Sequence, residues 1–214
     1  MEKKGLFITV EGPDGAGKST QIEFIKSFFK SKELDVLYTR EPGGTIISEK
    51  IRNIILDKEH VEMAPLTEVM LYAASRAQLV SQVIKPALKS GKIVICDRFI
   101  DSSVAYQGFG RELLAPVEAI NAFAVDGCMP DLTLLLMVDS AKGIDRVKSL
   151  GSENMDRMEK EKLDFHKKVY EGYEYIAEKE PSRIARIDGS QSIEKVSCHI
   201  EKELLKALES RNLI

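Results

Sequence analysis

Apolar residues in this chain follow two spacings that alternate along its length. Five short runs, at 6–10, 35–39, 93–96, 132–138 and 183–187, have strand length. All but the last are dense in Val, Ile and Leu, as strands covered on both faces must be. Between them, apolar positions recur every three to four residues. Ile22, Ile25, Phe28 and Phe29 do so early. Leu66, Val69, Met70, Ala73, Ala77, Val80, Ile84 and Leu88 do so over the longest stretch, and Ile193, Val196, Ile200, Leu204 and Leu208 near the end. This spacing predicts helices over 20–30, about 65–89, 140 to about 151, 159–179 and 193–208. Pro86 removes a backbone donor near the end of the long helix, so a kink or an early end is expected there. Strands alternating with helices predict an α/β fold. We expect three layers around a doubly wound, parallel, five-stranded sheet, with ligands outside the strands' carboxyl ends. No internal repeat, low-complexity tract or linker divides residues 1–214, which read as a single domain.

The first strand run leads into Gly12-Pro13-Asp14-Gly15-Ala16-Gly17-Lys18-Ser19, and the first helical pattern follows it. The octapeptide matches G-x-x-x-x-G-K-[ST], and strand, glycine loop, helix is the setting in which that match forms a phosphate site. Glycines let successive N–H groups turn inward on an anion, and the helix N-terminus adds its dipole. Lys18 would reach terminal phosphates, and Ser19 would offer a hydroxyl to Mg²⁺. The competing reading, a glycine-rich turn that happens to precede a helix, does not account for both flanks.

Further chemistry falls at the same edge of the expected sheet. Asp97 and Arg98 end the third strand run: the acid could hold Mg²⁺ directly or through water, and the base could clamp a phosphate. Arg40-Glu41-Pro42-Gly43-Gly44-Thr45 ends the second, with Arg40 placed to meet an anion. Tyr72 and Arg76 lie one turn apart on the flank of the long helix's stripe, where a ring and a guanidinium could hold a heterocycle. A half-buried Tyr beside an Arg with its head in water explains the same spacing. Residues 151–154 are polar and flanked by basic residues, which suggests a mobile flap.

Bulk composition narrows the field. With 31 Lys and Arg against 34 Asp and Glu, the net charge is −3, so no global field recruits nucleic acid. Cys96, Cys128 and Cys198 are odd in number and widely spaced, which suits reduced, buried thiols in a cytosol. His60, His166 and His199 lack metal-ligand spacing and read as solvated helix residues. No apolar run has the length of a membrane span, and the Met-Glu-Lys-Lys start leads straight into a strand, so neither an anchor nor a secretory leader is expected.

Taken together, the phosphate loop with Asp14, Arg40-Glu41-Pro42-Gly43-Gly44-Thr45, Ser75-Arg76, Asp97-Arg98-Phe99, Ser102-Ser103-Val104-Ala105-Tyr106-Gln107-Gly108 and Asp156-Arg157-Met158-Glu159 resemble, in order and spacing, the bacterial thymidylate kinases. The resemblance spans nearly the whole chain. It implies a P-loop nucleoside-monophosphate-kinase fold with a short helical lid at about 140–157, normally a cytoplasmic homodimer. It further implies Mg²⁺-dependent transfer of the ATP γ-phosphoryl group to dTMP, giving dTDP and ADP for dTTP biosynthesis. ATP would lie on Gly12, Pro13, Asp14, Gly15, Ala16, Gly17, Lys18, Ser19 and Thr20, with Arg146. The metal would lie at Ser19 and Asp97. Asp14 would take the deoxyribose 3′-hydroxyl, and Arg40 and Arg98 the dTMP phosphate. Tyr72 would stack on thymine where the family more often has Phe. Arg76 would meet the base edge, with Ser103 and Gln107 nearby. Tyr106 would crowd the sugar C2′, and the Asp188-Gly189-Ser190 turn would lie near adenine. Lys18, Arg98, Arg146 and Arg157 are the expected catalytic cations, the last two serving the lid.

Two departures stand out. Ala16 means the loop itself carries no Arg, yet Lys148 and Leu150 occupy positions where lid arginines are common in the family. Another nucleoside monophosphate or deoxynucleoside kinase would share the phosphate loop and the Asp-Arg strand end, but not the Arg-Glu-Pro-Gly-Gly-Thr and Ala-Tyr-Gln-Gly segments. A GTP-dependent switch would need an Asn/Thr-Lys-x-Asp guanine reader, which the sequence lacks.

Overall fold

The computed structural model describes residues 5–149, 151 and 155–214. Leu150 and 152–154, on which part of the expected lid falls, lie outside the described residues. In chain order the elements are β1 (Leu6–Glu11), α1 (Lys18–Ser31), β2 (Val36–Arg40), α2 (Ile46–Leu56), α3 (Pro65–Leu79), a π-helical segment (Val80–Ile84) and α4 (Lys85–Lys89). There follow β3 (Ile93–Asp97), α5 (Ile100–Ser103), a second π-helical segment (Val104–Gly110), α6 (Leu114–Val125), β4 (Leu132–Met137), α7 (Ser140–Ser149), α8 (Leu163–Lys179), β5 (Ile184–Asp188) and α9 (Ile193–Ser210).

The five strands form one sheet in the order β2-β3-β1-β4-β5, with every pairing parallel. The register puts Val10 beside Asp97 and Arg40 beside Asp97, so the carboxyl ends of the three strands that carry candidate chemistry are level. Side chains of β1 alternate between the two faces. Leu6, Ile8 and Val10 pack under α1 and α9 with Ile25, Phe29, Ile200 and Leu204. On the opposite face Phe7 joins Val94, Cys96 and Leu79. Its same-parity neighbours Thr9 and Glu11 are fully buried polar groups, which bond to Thr133 and to the segment after β3 respectively.

The predicted long helix is three pieces. Pro86 lies in the first turn of α4, and the irregularity precedes it: Lys85 N–H bonds Val80 O across a π turn. A π turn just upstream is how the chain accommodates the missing donor without a sharp break. Of the expected stripe, Val69, Ala73, Val80, Ile84 and Leu88 are buried, but the buried face extends to one side of it. Leu66 and Met70 are 44% and 52% exposed, while Glu68, Ser75 and Arg76 are buried on the inner face. Helix α8 begins at Leu163 and not at 159, because Asp156 Oδ1 accepts from the N–H groups of Met158 and Glu159 and holds a turn there. His166 is buried, contrary to the solvated reading, with its ring edge-on to Phe165. Cys96 and Cys128 are buried as expected, but Cys198 is exposed. Among the described residues no helix is long and apolar enough to cross a membrane.

Candidate functional site

The phosphate loop joins β1 to α1 with Gly12, Gly15 and Gly17 at positive φ. Two of these glycines are also needed for space. A Cβ on Gly12 would stand 2.1 Å from Leu136 O, and one on Gly15 would stand 2.1 Å from Gly143 O. The second contact brings α7 down onto the loop backbone to backbone. Lys18 is 9% exposed, and its Nζ donates to Gly12 O and Pro13 O at 2.9 and 2.8 Å. Burial and the neighbouring Arg98 charge push its pKa down to about 8. Arg146, from α7, donates to Gly15 O and Gly189 O, so it closes one side of the cleft over the loop.

Arg98 follows β3 at φ 65, an uncommon conformation for a residue with a Cβ, and such strain concentrates at functional positions. Its guanidinium donates to Gly12 O at 3.0 Å, Ser102 Oγ at 3.1 Å and Asp14 Oδ1 at 2.5 Å, and lies 5.0 Å from the centre of the Tyr106 ring. Tyr106 donates its hydroxyl to Asp14 Oδ2 at 2.7 Å. Burial alone would raise the Asp14 pKa. The Arg98 and Lys18 charges and the Tyr106 hydroxyl outweigh it and hold the carboxyl below its usual range.

Behind this cluster sits Glu11, which the sequence reading passed over. Its Oε1 accepts from Phe99 N and Ser102 N at 2.6 and 3.2 Å, and its Oε2 from Ser102 Oγ and Tyr173 OH at 2.6 and 3.0 Å. Burial, with Asp101 nearby, raises its pKa to about 7. Glu11 fixes the turn that carries Arg98. A lone acid closing an otherwise buried strand was the available signal.

Two cavities open at this edge. The first is walled by Tyr72, Arg76, Ser103, Gln107, Tyr106 and Glu41, among others. Arg76 is 1% exposed: Nε and Nη2 donate to Glu41 Oε2 at 2.9 and 2.5 Å, Nη2 also to Phe99 O at 3.0 Å, and Nη1 to Asn121 Oδ1. That leaves one of its five N–H groups for the cavity. Ser103 Oγ and Glu41 Oε1 are buried there without a partner. The second, larger cavity is walled by Gly15, Ala16, Gly17, Lys18, Ser19, Thr20, Asp97, Arg146 and Gly189. Asp14, Arg52, Arg98, Asp156 and Glu159 wall both.

Two expected cations are placed differently. Arg40 forms a forked pair with Glu49, both contacts 3.0 Å, at the mouth of a neighbouring groove. The position next to the shared wall belongs to Arg52 of α2, which the sequence reading missed. It donates to Pro42 O at 2.9 Å, and burial with the nearby Arg40 charge lowers its pKa. Arg157 turns away from the larger cavity: Nη2 donates to the buried Glu68 Oε2 at 2.6 Å and Nε to Ile55 O at 2.8 Å. A local motif fixes neither arginine's partner, since Glu49 and Glu68 are reached only in three dimensions.

Asp97 Oδ1 is buried with no hydrogen-bond partner, and Ser19 and Asp97 line the same cavities. One carboxylate oxygen and one hydroxyl beside a phosphate loop fit Mg²⁺, which takes few protein oxygens and draws its other ligands from phosphate and water.

The thymidylate kinase family model matches residues 10–200. The chain is 51% identical over 195 residues to the thymidylate kinase of Lactobacillus delbrueckii subsp. bulgaricus, an alignment covering 90% of this chain and 92% of that one. With the thymidylate kinase of Clostridium novyi it shares 49% over 194 residues, covering 90% and 95% of the two chains. The crystal structure of thymidylate kinase from Ehrlichia chaffeensis superposes with TM-score 0.76 at 32% identity, covering 94% of this chain and 98% of that one. A parallel five-stranded sheet, a phosphate loop and two cavities that share one wall containing Arg52 and Arg98 thus accompany close sequence kinship across nearly the full length, and this chain belongs to the thymidylate kinase family.

Proposed function

We propose that the chain transfers the γ-phosphoryl group of ATP to dTMP, giving dTDP and ADP, in the cytoplasmic synthesis of dTTP. The observation that carries this reading is the shared wall. Two cavities of different character meet at Arg52 and Arg98, beside the phosphate loop. Two nucleotides entering from opposite sides would bring their phosphates together there.

The acceptor is itself an anionic phosphate, so no protein base is required. Catalysis then consists of alignment and charge neutralisation. Lys18 and the loop N–H groups take the donor's terminal phosphates, Arg146 lies over them, and Arg98 and Arg52 hold the acceptor phosphate. Ser19 and Asp97 would hold Mg²⁺, which supplies neutralisation of phosphate charge when bound. Asp14, kept ionised by Arg98, accepts from the deoxyribose 3′-hydroxyl. Tyr106 blocks the position of a 2′-hydroxyl. Tyr72 stacks on the base, while the remaining Arg76 N–H and the Ser103 and Gln107 side chains read its edge. With α7 seated on the loop, water is kept from the donor phosphate.

Helices α2, α3 and α6 pack side by side and expose Ile46, Ile47, Ile54, Leu66, Met70 and Phe123, the last 86% exposed. A large apolar face of this kind marks an interface, and we assign it to a second copy across a two-fold axis. Sedimentation should give a dimer, and Phe123→Glu with Met70→Glu a monomer.

Turnover measured side by side with dTMP, dUMP, dGMP and AMP tests the substrate. The thymine methyl accounts for only about 1–3 kcal/mol, so dUMP should be a poorer but real acceptor. Purine monophosphates should fail, because the larger ring displaces the base from Arg76. Preference for a purine acceptor would overturn the thymidylate assignment.

A further inference from the structure

We propose that Glu68 is a positioning residue that joins the wall shared by the two cavities to the base-reading side of the smaller one, so that each nucleotide tightens binding of the other. The inference rests on the kinase reading above.

Glu68 is fully buried on the inner face of α3 and contacts neither expected substrate position directly. Its carboxylate nevertheless collects three side chains. Gln107 Nε2, from the wall of the smaller cavity, donates to Oε1 at 2.9 Å. Arg111 donates to Oε1 and Oε2 at 3.3 and 3.2 Å, and Arg157 donates to Oε2 at 2.6 Å. Arg157 lies between Asp156 and Met158 in the turn whose Asp156 and Glu159 line both cavities. The same arginine holds Ile55 O of α2, while Arg111 also pairs with Glu161, 2.7 Å away, further along that turn.

The turn is therefore fastened to α3 through two arginines that end on one carboxylate, and Gln107 hangs from the same atoms. In a low-dielectric setting these contacts are strongly interdependent. A base bound against Gln107 restrains Glu68, and Glu68 restrains the wall against which the donor phosphates must fit. Linkage requires the reverse effect to be equal in size. Arg157 thus acts on the donor through its grip on Glu68, without touching the transferring group.

Calorimetry of dTMP with and without a non-hydrolysable ATP analogue reads this coupling directly. For the wild-type chain we expect dTMP affinity to rise about tenfold when the analogue is present. In Glu68→Gln, which keeps the shape but not the charge, the factor should fall below about twofold, with KM raised for both substrates more than kcat is lowered. Arg157→Lys, which keeps a charge but cannot fork between Ile55 O and Glu68, should lose the coupling while binding dTMP alone nearly as tightly. It carries the test if Glu68→Gln does not fold. The Glu68→Gln/Arg157→Lys double variant should be no worse than the poorer single variant. An unchanged coupling factor in the single variants, no coupling in the wild type, or losses that multiply in the double variant would overturn the proposal. A wild-type chain that phosphorylates no dTMP would instead sink the kinase reading.

Discussion

The two cavities, acceptor pocket and donor cleft on the reading proposed above, meet at one wall but are built from different parts of the chain. The acceptor pocket is the smaller and is made of side chains, with Arg76 bonded to Glu41, Asn121 and the Phe99 carbonyl. The donor cleft is the larger and is built around one loop's backbone, with Lys18 folded back onto two of its carbonyls. A purchased rigidity therefore sits where the base must be recognised, and an adaptable cradle sits where phosphates of any nucleoside triphosphate could lie. Discrimination belongs to the first region and charge management to the second.

Substitutions can separate these roles. The largest effect on stability should come from Arg76→Ala. Removing one partner of a buried ion pair leaves Glu41 uncompensated and costs about 3–5 kcal/mol, or a fall in Tm of about 6–20 °C for a chain of this size. Thermal unfolding measures it; a fall of only a degree or two would mean the pocket is not self-supporting. Lys18→Ala should do the opposite, lowering turnover by about 10²–10³ with Tm nearly unchanged, because among the described residues the lysine is bonded only to loop carbonyls. Near-normal turnover would remove the phosphate loop from the mechanism.

The pH profile sharpens the contrast further. Lys18 carries its charge below about pH 8 and loses it above, so the cationic donor cradle weakens as pH rises. Between pH 7 and 9 the KM for ATP should rise about tenfold, the change in charged fraction for such a group. The KM for dTMP should move much less, since Arg98 keeps its proton: burial would lower its pKa, but Tyr106, Asp14 and Tyr173 around it raise it well above the usual value. Parallel rises in both constants would refute the division of labour. The smallest effect is expected from Tyr72→Phe, which retains the stacking ring and should alter the KM for dTMP by about twofold at most.

The same contrast explains what could be read in advance. Strand positions were legible to within about a residue at each end: β1, β3 and β4 are buried along nearly their whole length and need uninterrupted apolar runs, whereas the edge strand β2, expected to be covered on both faces, is partly exposed, as β5 is. Gly12, Lys18, Asp97 and Arg98 were legible because each lies in a motif whose geometry is local. Arg52, Glu11 and Glu68 were not, since their partners are 10 to 162 residues away along the chain. Arg40 and Arg157 show the converse failure. Their motifs point to phosphate, but in the folded chain Glu49 and Glu68 hold them. The buried face of α3 was only partly legible for a related reason. Its buried face carries Glu68, Ser75 and Arg76, whose side chains meet Gln107, the Gly43 N–H and Glu41 respectively and so can leave solvent.

By itself the sequence determined the parallel α/β sheet, the phosphate loop and the chemistry at the end of β3, because backbone periodicity and a glycine loop act over a few residues. Tertiary structure alone decided which arginines line the two cavities, as Arg52 and Arg98 do, and which are held away from them by a carboxylate, as Arg157 is by Glu68. A guanidinium pairs with whatever anion the fold brings within about 3 Å, and that distance is set by how helices pack across the sheet.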